Sequence, residues 1–260
     1  MLIRAVNSVL NQTFPVHEIL ICDDGSSDES ESKIAALDNS KVKWINCGNN
    51  GRPSIPRNIG IKKSTGNWIA FLDNDDEWLP EKLMKQIETL KATNSLFICS
   101  NAYKITKEKV IGTYLEYNNN KLNFADMLCV NNVICSSVLV QKELLILNSL
   151  FPEEPEFKSI EDYGLWLRLA GITDFVYIKE PLLNYYCNTD LSISNTYSDI
   201  WKVKEVVFCG FKRWCKTNHV IISKEKRKLF RIAFKVMKRK GEPTKLIILV
   251  KKIINKLIKN

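Results

Sequence analysis

The stretch Trp68-Ile-Ala-Phe-Leu-Asp-Asn-Asp-Asp-Glu-Trp-Leu-Pro80 constrains this chain more than any other. Trp68 to Leu72 form a mostly apolar run of strand length, too short for a helix. The run leads directly into Asp73, Asn74, Asp75 and Asp76, three carboxylates in four positions. Pro80 then opens a helical pattern, with Leu83, Met84, Ile87 and Leu90 at three- and four-residue spacing. A strand that ends in carboxylates delivers them to the carboxyl edge of a sheet, where open α/β folds bind ligands. Like charges this close repel, so a cation or solvent must offset them. Hard oxygen ligands suit Mg²⁺ or Mn²⁺, and those ions suit phosphate. The alternative is an acidic, solvated turn that caps the next helix.

The residues before this stretch repeat its logic. Leu2 to Leu10 carries a helix-like apolar face, and Asn11-Gln-Thr-Phe-Pro15 ends it. Glu18 to Cys22 reads as a buried strand, followed at once by Asp23-Asp-Gly-Ser-Ser-Asp28, a turn and helix start. A short helix over 30–37, a strand over Val42 to Ile45 and a helix around Pro56-Arg-Asn-Ile-Gly60 come next. Strands alternating with helices at this spacing predict a mostly parallel α/β sheet flanked by helices. Leu96 to Ser100 is a further strand, and from Tyr103 to Val140 the pattern weakens into short strands and loops. Ile160 to Leu169 reads as an amphipathic helix with Glu161 and Asp162 in its first turn, where the helix dipole favours carboxylates. Phe175 to Ile178 and Leu182 to Tyr186 read as two strands, with Lys179-Glu-Pro181 turning between them. Helices are expected over 195–214, 223–240 and 244–259. The last has apolar residues on one face and Lys251, Lys252, Lys256 and Lys259 opposite.

A chain of 260 residues holds one substantial domain with appendages. Its eight cysteines include no C-x-x-C pair, and several sit in apolar runs, which reads as reduced thiols of a cytosolic protein. Two histidines leave little material for a zinc site or a Ser-His-Asp triad. No apolar run reaches the roughly 18 residues of a membrane span. Residues 212–260 carry 17 Lys or Arg against two Glu, a net +15, which leaves −6 of the chain's +9 for residues 1–211. An acidic body with a basic tail suggests an anionic partner for the tail. Its amphipathic pattern favours an anionic membrane surface over nucleic acid, which is not expected as a partner.

Asp23-Asp-Gly-Ser-Ser-Asp28, Arg57-Asn-Ile-Gly60, Phe71 to Pro80 and Glu161-Asp162 together resemble family 2 glycosyltransferases of the GT-A, Rossmann-like fold, in order and in spacing. The resemblance covers about residues 2–195, which implies a GT-A domain over 1–195 and a basic helical extension over 196–260. Within the domain, 1–100 would bind the nucleotide sugar and 101–195 the acceptor. It implies an inverting, metal-dependent transferase of the hexosyl type. The donor would be a nucleotide-diphosphate sugar, and the acceptor a hydroxyl in a cell-surface polysaccharide or lipid-linked glycan. Carried over by position, Asp23 and Asp24 would meet the base and ribose, Arg57 the diphosphate, and Asp73 with Asn74 the donor. Asp73 and Asp75 are the D-x-D pair, and Asp75 the direct ligand of Mg²⁺ or Mn²⁺. Asp162 matches the general base, with Glu161 and Trp166 at the acceptor.

A carboxylate takes the proton of an otherwise poor hydroxyl nucleophile, and a divalent cation neutralises the departing diphosphate. The expected location is the cytoplasm, peripheral on the inner face of the cell membrane. Two departures stand out. Where the family often carries a histidine after its late strand, this chain has Tyr185-Tyr-Cys-Asn188, leaving Asn188 for that contact or none. The family's usual first strand is also missing ahead of Leu2. A shortened start is therefore expected, with either a gap beside Ile19 to Ile21 or another segment filling it, and weakened stability and donor binding. A dinucleotide oxidoreductase would need G-x-G-x-x-G after a strand, and a sugar-nucleotide pyrophosphorylase a glycine- and basic-rich first loop; neither occurs. The remaining alternative is a non-catalytic GT-A remnant that binds a partner or membrane.

Overall fold

The computed structural model describes residues 1–187 and 199–239. The chain runs α1 (Leu2–Leu10), β1 (Ile19–Asp23), α2 (Ser30–Ala35), β2 (Val42–Asn46), α3 (Ser54–Lys63), β3 (Trp68–Ala70), β4 (Glu77–Trp78) and α4 (Lys82–Thr93). Then come β5 (Phe97–Thr106), β6 (Lys109–Thr113), β7 (Lys121–Leu122), α5 (Phe124–Cys129), β8 (Leu139–Gln141), α6 (Lys142–Leu147), α7 (Glu161–Ile172), β9 (Phe175–Tyr186), α8 (Ile200–Thr217) and α9 (Lys224–Lys238). The expected helix over 244–259 and the expectation for Asn188 lie outside the described residues.

The strands form two sheets. β1 and β2 pair in parallel, Ile19 opposite Val42 and Asp23 opposite Asn46. The second sheet has seven strands, with β3, β8, β5, β9 and β4 side by side, β6 on β5 and β7 on β9. Within it only β5 and β9 run parallel, so the α/β architecture carries a mixed sheet. The expected run of parallel strands gives way after β3, because β8, short and preceded by a 3-10 turn over Cys135–Ser137, returns antiparallel to both β3 and β5. α3 packs against β1 through Gly60, where a Cβ would lie 2.6 Å from the Cys22 sulfur.

Two expectations change in the second half. Lys179-Glu180-Pro181 does not turn: β9 runs unbroken from Phe175 to Tyr186. Proline has no N–H for the ladder, so the chain solves the problem with register shifts against β5 around Asn101. The Asn101 side chain covers the break, its amide donating to Leu115 O and Lys179 O and its oxygen accepting from Leu115 N. α7 is also not amphipathic in place, because Tyr163 through Gly171 are all buried. Apart from Arg168, that enclosed stretch is without charge, and a helix of this kind belongs inside a domain. It lies between the large sheet and α5 and α8, with Trp166 edge-on to Phe97 and Phe151 at 5.1 and 5.6 Å.

Local signals cap four of the described helices. α5 begins with a capping box, Asn123 accepting from Ala125 N and Asp126 N while Asp126 accepts from Asn123 N. Asp199 caps α8 and Ser223 caps α9. α4 ends on Asn94 at φ 51°, a left-handed position that asparagine tolerates. All eight cysteines are free thiols, Cys99 and Cys135 buried.

Candidate active site

Two carboxylate clusters hang from the strand ends. The first follows β1. Asp23 is buried and accepts from Gly25 N, Ser26 N and Ser26 Oγ, which closes the turn on itself. Gly25 sits at φ 91°, and a Cβ there would lie 2.9 Å from Gly48 O, so the turn packs backbone to backbone. Asp24 reaches across to the next loop: one oxygen accepts from Asn50 N and the Asn50 amide, the other from Gly51 N at 2.8 Å. Both side chains therefore hold the loop geometry in this structure.

The second cluster follows β3. Here the three carboxylates take three different fates. Asp73 is ion-paired with Arg57 at 2.6 Å, and its N–H donates to Ser136 Oγ. Asp76 is 1% exposed; it accepts from Ser136 Oγ and from Tyr186 N. Burial, with Asp73 and Asp75 nearby, pushes its pKa up to about 8. Asp75 has no side-chain partner among the described residues, and burial beside Asp73 raises its pKa as well. Asn74 is exposed at the tip. The solvated-turn alternative accounts for Asn74, but Asp76 is a buried structural carboxyl.

Arg57 joins this loop to α7. One guanidinium nitrogen donates to Asp73 and the other to Glu161 Oε1 at 2.5 Å, while the group stands 5.5 Å from the Phe151 ring. Burial opposes the charge on Arg57, but Asp73, Cys135 and Glu161 outweigh it and raise its pKa. Next to Glu161, Asp162 accepts from the Asn131 amide at 3.0 Å and from Tyr163 N. Burial, and then the charge of Glu161, raise the Asp162 pKa, leaving a carboxylate that ionises reluctantly yet is held in orientation.

Two expected acceptor contacts are corrected by this arrangement. Trp166 is fully buried in the aromatic core against Phe71, Phe97 and Phe151, so it presents no wall to an acceptor. Spacing of one turn from Asp162 placed it on the right helix, but the helix is buried all round. Glu161 is 4% exposed and serves as the partner of Arg57, with its second oxygen lacking a hydrogen bond among the described residues.

Several residues at the site carried no signal in the sequence. Arg4 of α1 donates to the Asp75 backbone carbonyl, and its guanidinium lies 3.7 Å over the Tyr186 ring. Ser136 ties Asp73 and Asp76 together from a segment 60 residues from Asp76, and the Trp78 indole and Gln86 amide donate to Ser136 O and Ser137 O. Asn131 orients Asp162. Of these, only the polar pair Asn131-Asn132 after an apolar run could have been singled out.

The family model described as Glycosyl transferase family 2 matches residues 1–143. The chain belongs to glycosyl transferase family 2. Its relatives include two from Escherichia coli, WfgD and WfaP, each named UDP-Glc:alpha-D-GlcNAc-diphosphoundecaprenol beta-1,3-glucosyltransferase. They are 32% and 34% identical over 165 and 166 residues, 64% of this chain in each case. The chain spans 62% and 63% of their lengths. TuaG of Bacillus subtilis, named a putative teichuronic acid biosynthesis glycosyltransferase, is 26% identical over 202 residues, 76% of each chain. Among solved structures, S. aureus TarS 1-349 in complex with UDP-GlcNAc superposes with a TM-score of 0.66 at 19% identity, over 80% of this chain and 62% of that one. The architecture is thus the GT-A one. Divalent metals are common in the family. Among the described residues no three ligand-type side chains converge as a closed metal site. The free carboxylate of Asp75 beside Asp73 suits a cation whose remaining ligands come from a diphosphate and water.

Proposed function

We propose that this family 2 chain transfers a sugar from a nucleotide-diphosphate sugar to a hydroxyl of a lipid-linked glycan, with inversion at the anomeric carbon. The names of the Escherichia coli relatives specify such a donor and such an acceptor, and we carry over only that class. The observation that carries the reading is Arg57. Through Asp73 and Glu161 it brings the acidic loop after β3 and the first turn of α7 to one place.

Asp75, with Asp73, would hold Mg²⁺ or Mn²⁺, which would supply positive charge to the departing diphosphate. Asp162 is the general base. Its raised pKa makes it a better proton acceptor once ionised. The Asn131 amide and Tyr163 N hold one oxygen each, which fixes the orientation in which a remaining lone pair would meet a hydroxyl. A base across from the leaving group implies a single in-line displacement. Arg4, at the Asp75 carbonyl, and Arg57, at the Asp73 carboxylate, add cationic groups to the acidic loop, where the diphosphate charge would lie. Asp23 and Asp24 shape the floor for the base and ribose through the turns they close, and Asn74 is free to meet the donor. We place the reaction at the cytoplasmic face of the membrane, with residues 244–259 contributing to the hold on it. No helix among the described residues is long and apolar enough to cross a membrane.

The test is Asp162→Asn, assayed with nucleotide sugars, Mn²⁺ and a lipid-diphosphate acceptor. Transfer should slow by about 10²- to 10⁴-fold with donor affinity unchanged. Full activity in this variant would remove Asp162 as the base, and donor binding without any transfer by the native chain would favour a non-catalytic GT-A remnant.

A further inference from the structure

α9 has one face committed to the core and another that faces water. Leu229, Ala233 and Met237 are buried, and Lys226 donates to Ala170 O and Gly171 O at the end of α7, so the helix is firmly anchored. On the outer side Arg227, Arg231 and Lys235 recur at four-residue spacing and share one strip. Half-buried Phe230 and Phe234 run beside that strip with their rings 5.8 Å apart. Lys212 of α8 stands across from them, 5.7 Å from the Phe234 ring.

Between α8 and α9 two adjoining hollows open, of about 380 and 190 Å³. Cationic side chains and aromatic rings line the larger one; Phe211, Val220, Ile221 and Ile222 extend the apolar floor of the smaller. Among the described residues no carboxylate lines either. Residues 200–239 hold thirteen Lys or Arg against Glu205 and Glu225, and Glu205 is paired with Lys238. Ile221 is 83% exposed at the edge.

The charge pattern selects the occupant. Residues 240–260 follow directly, but they carry six lysines and one glutamate, so laying them in this groove would set cation against cation. A nucleic acid would satisfy the cations and leave Ile221 and the aliphatic floor in water. An anionic amphiphile satisfies both. We propose that the α8–α9 groove docks on an anionic phospholipid bilayer, with Lys212, Arg227, Arg231 and Lys235 at the headgroup phosphates and Phe230, Phe234 and Ile221 at the acyl boundary. The surface lies by the C-terminal end of α7, and Asp162 is in the first turn of that twelve-residue helix. The two ends are about 18 Å apart along the axis. The proposal therefore depends neither on sugar transfer nor on residues 244–259.

The experiment is co-sedimentation of the full chain with phosphatidylcholine vesicles, with and without about one-third phosphatidylglycerol. The native chain should bind only the anionic vesicles and release in high salt. Arg227→Gln, Arg231→Gln and Lys235→Gln together should weaken binding about a hundredfold, near fivefold per side chain. The same charge removed outside the groove, by Lys216→Gln, Lys224→Gln and Lys228→Gln, should cost far less. Matching melting temperatures show that both variants fold. Unchanged binding in the groove variant assigns the attachment to residues 240–260 and overturns the proposal. So do equal losses in the two variants, absence of vesicle binding, or tighter binding to single-stranded RNA than to vesicles.

Discussion

The two acidic clusters start alike and end differently. After β1, Asp23 and Asp24 accept all their hydrogen bonds from turns close by in space, Gly25 and Ser26 on one side and Asn50 and Gly51 on the other. Those carboxylates act as loop fasteners. After β3, the nearby N–H groups do not suffice, and the carboxylates sort by which distant partner reaches them. Asp73 is met by Arg57, Asp76 by Ser136 and the Tyr186 N–H, and Asp75 by no side chain among the described residues. A carboxylate is available to a ligand in proportion to what the fold leaves unsatisfied, and by that measure Asp75 is the most available of the five.

The sharpest way to break this contrast is Asp75→Ala. It should abolish transfer and Mn²⁺-dependent binding of a nucleotide diphosphate, while the melting temperature stays level or rises as repulsion with Asp73 is relieved. Retained Mn²⁺-dependent binding would show that Asp73 or Asp76 is the ligand instead. Arg57→Ala comes next. It strands Glu161, whose side chain is 5% exposed, as an unpaired buried charge. The cost should be about 3 kcal/mol in chemical denaturation, at the lower end for a broken buried pair because Asp73 is partly solvated. A loss under about 1 kcal/mol would mean that solvent already screens the pair.

The pH response tests the fate of Asp76. Its folded pKa, about 8, lies above that of an unfolded aspartate, so between about pH 4 and pH 8 the folded chain holds a proton that the unfolded chain has released. Stability should therefore fall as pH rises through that window, by up to ~1.4 kcal/mol per pH unit from this group. Asp76→Asn, neutral throughout, should flatten the slope; an unchanged slope would assign it to Asp162, whose pKa is also raised. The smallest effect belongs to the first cluster. Asp24→Ala leaves the Asn50 and Gly51 N–H groups without their acceptor in a partly exposed loop, which should cost about 1 kcal/mol. Donor affinity should fall only as far as the loop loosens. If affinity collapses while stability is untouched, Asp24 binds the nucleotide directly and the contrast between the clusters fails.

The sequence by itself determined the local frame. The apolar periods located α1 over Leu2–Leu10 and strands at Ile19, Val42 and Trp68. The turn residues after β1 and β3 placed carboxylates at strand ends, and the four matched segments pointed to the family over about residues 2–195, of which the family model matches residues 1–143. The helices, strands and turns depend on residues within a turn or two of each other, the range over which periodicity carries information, and the family showed in the order of four such local segments. The tertiary structure alone decided the rest. It carried β9 through Pro181, because Asn101 of a neighbouring strand covers the missing donor. It buried Trp166, because α7 is enclosed on every side. It also separated Asp75 from Asp76, adjacent in sequence, by bringing Ser136 to one and leaving the other open. Identical side chains in one loop differ in chemistry through donors contributed from far along the chain, and no local pattern records where those donors arrive.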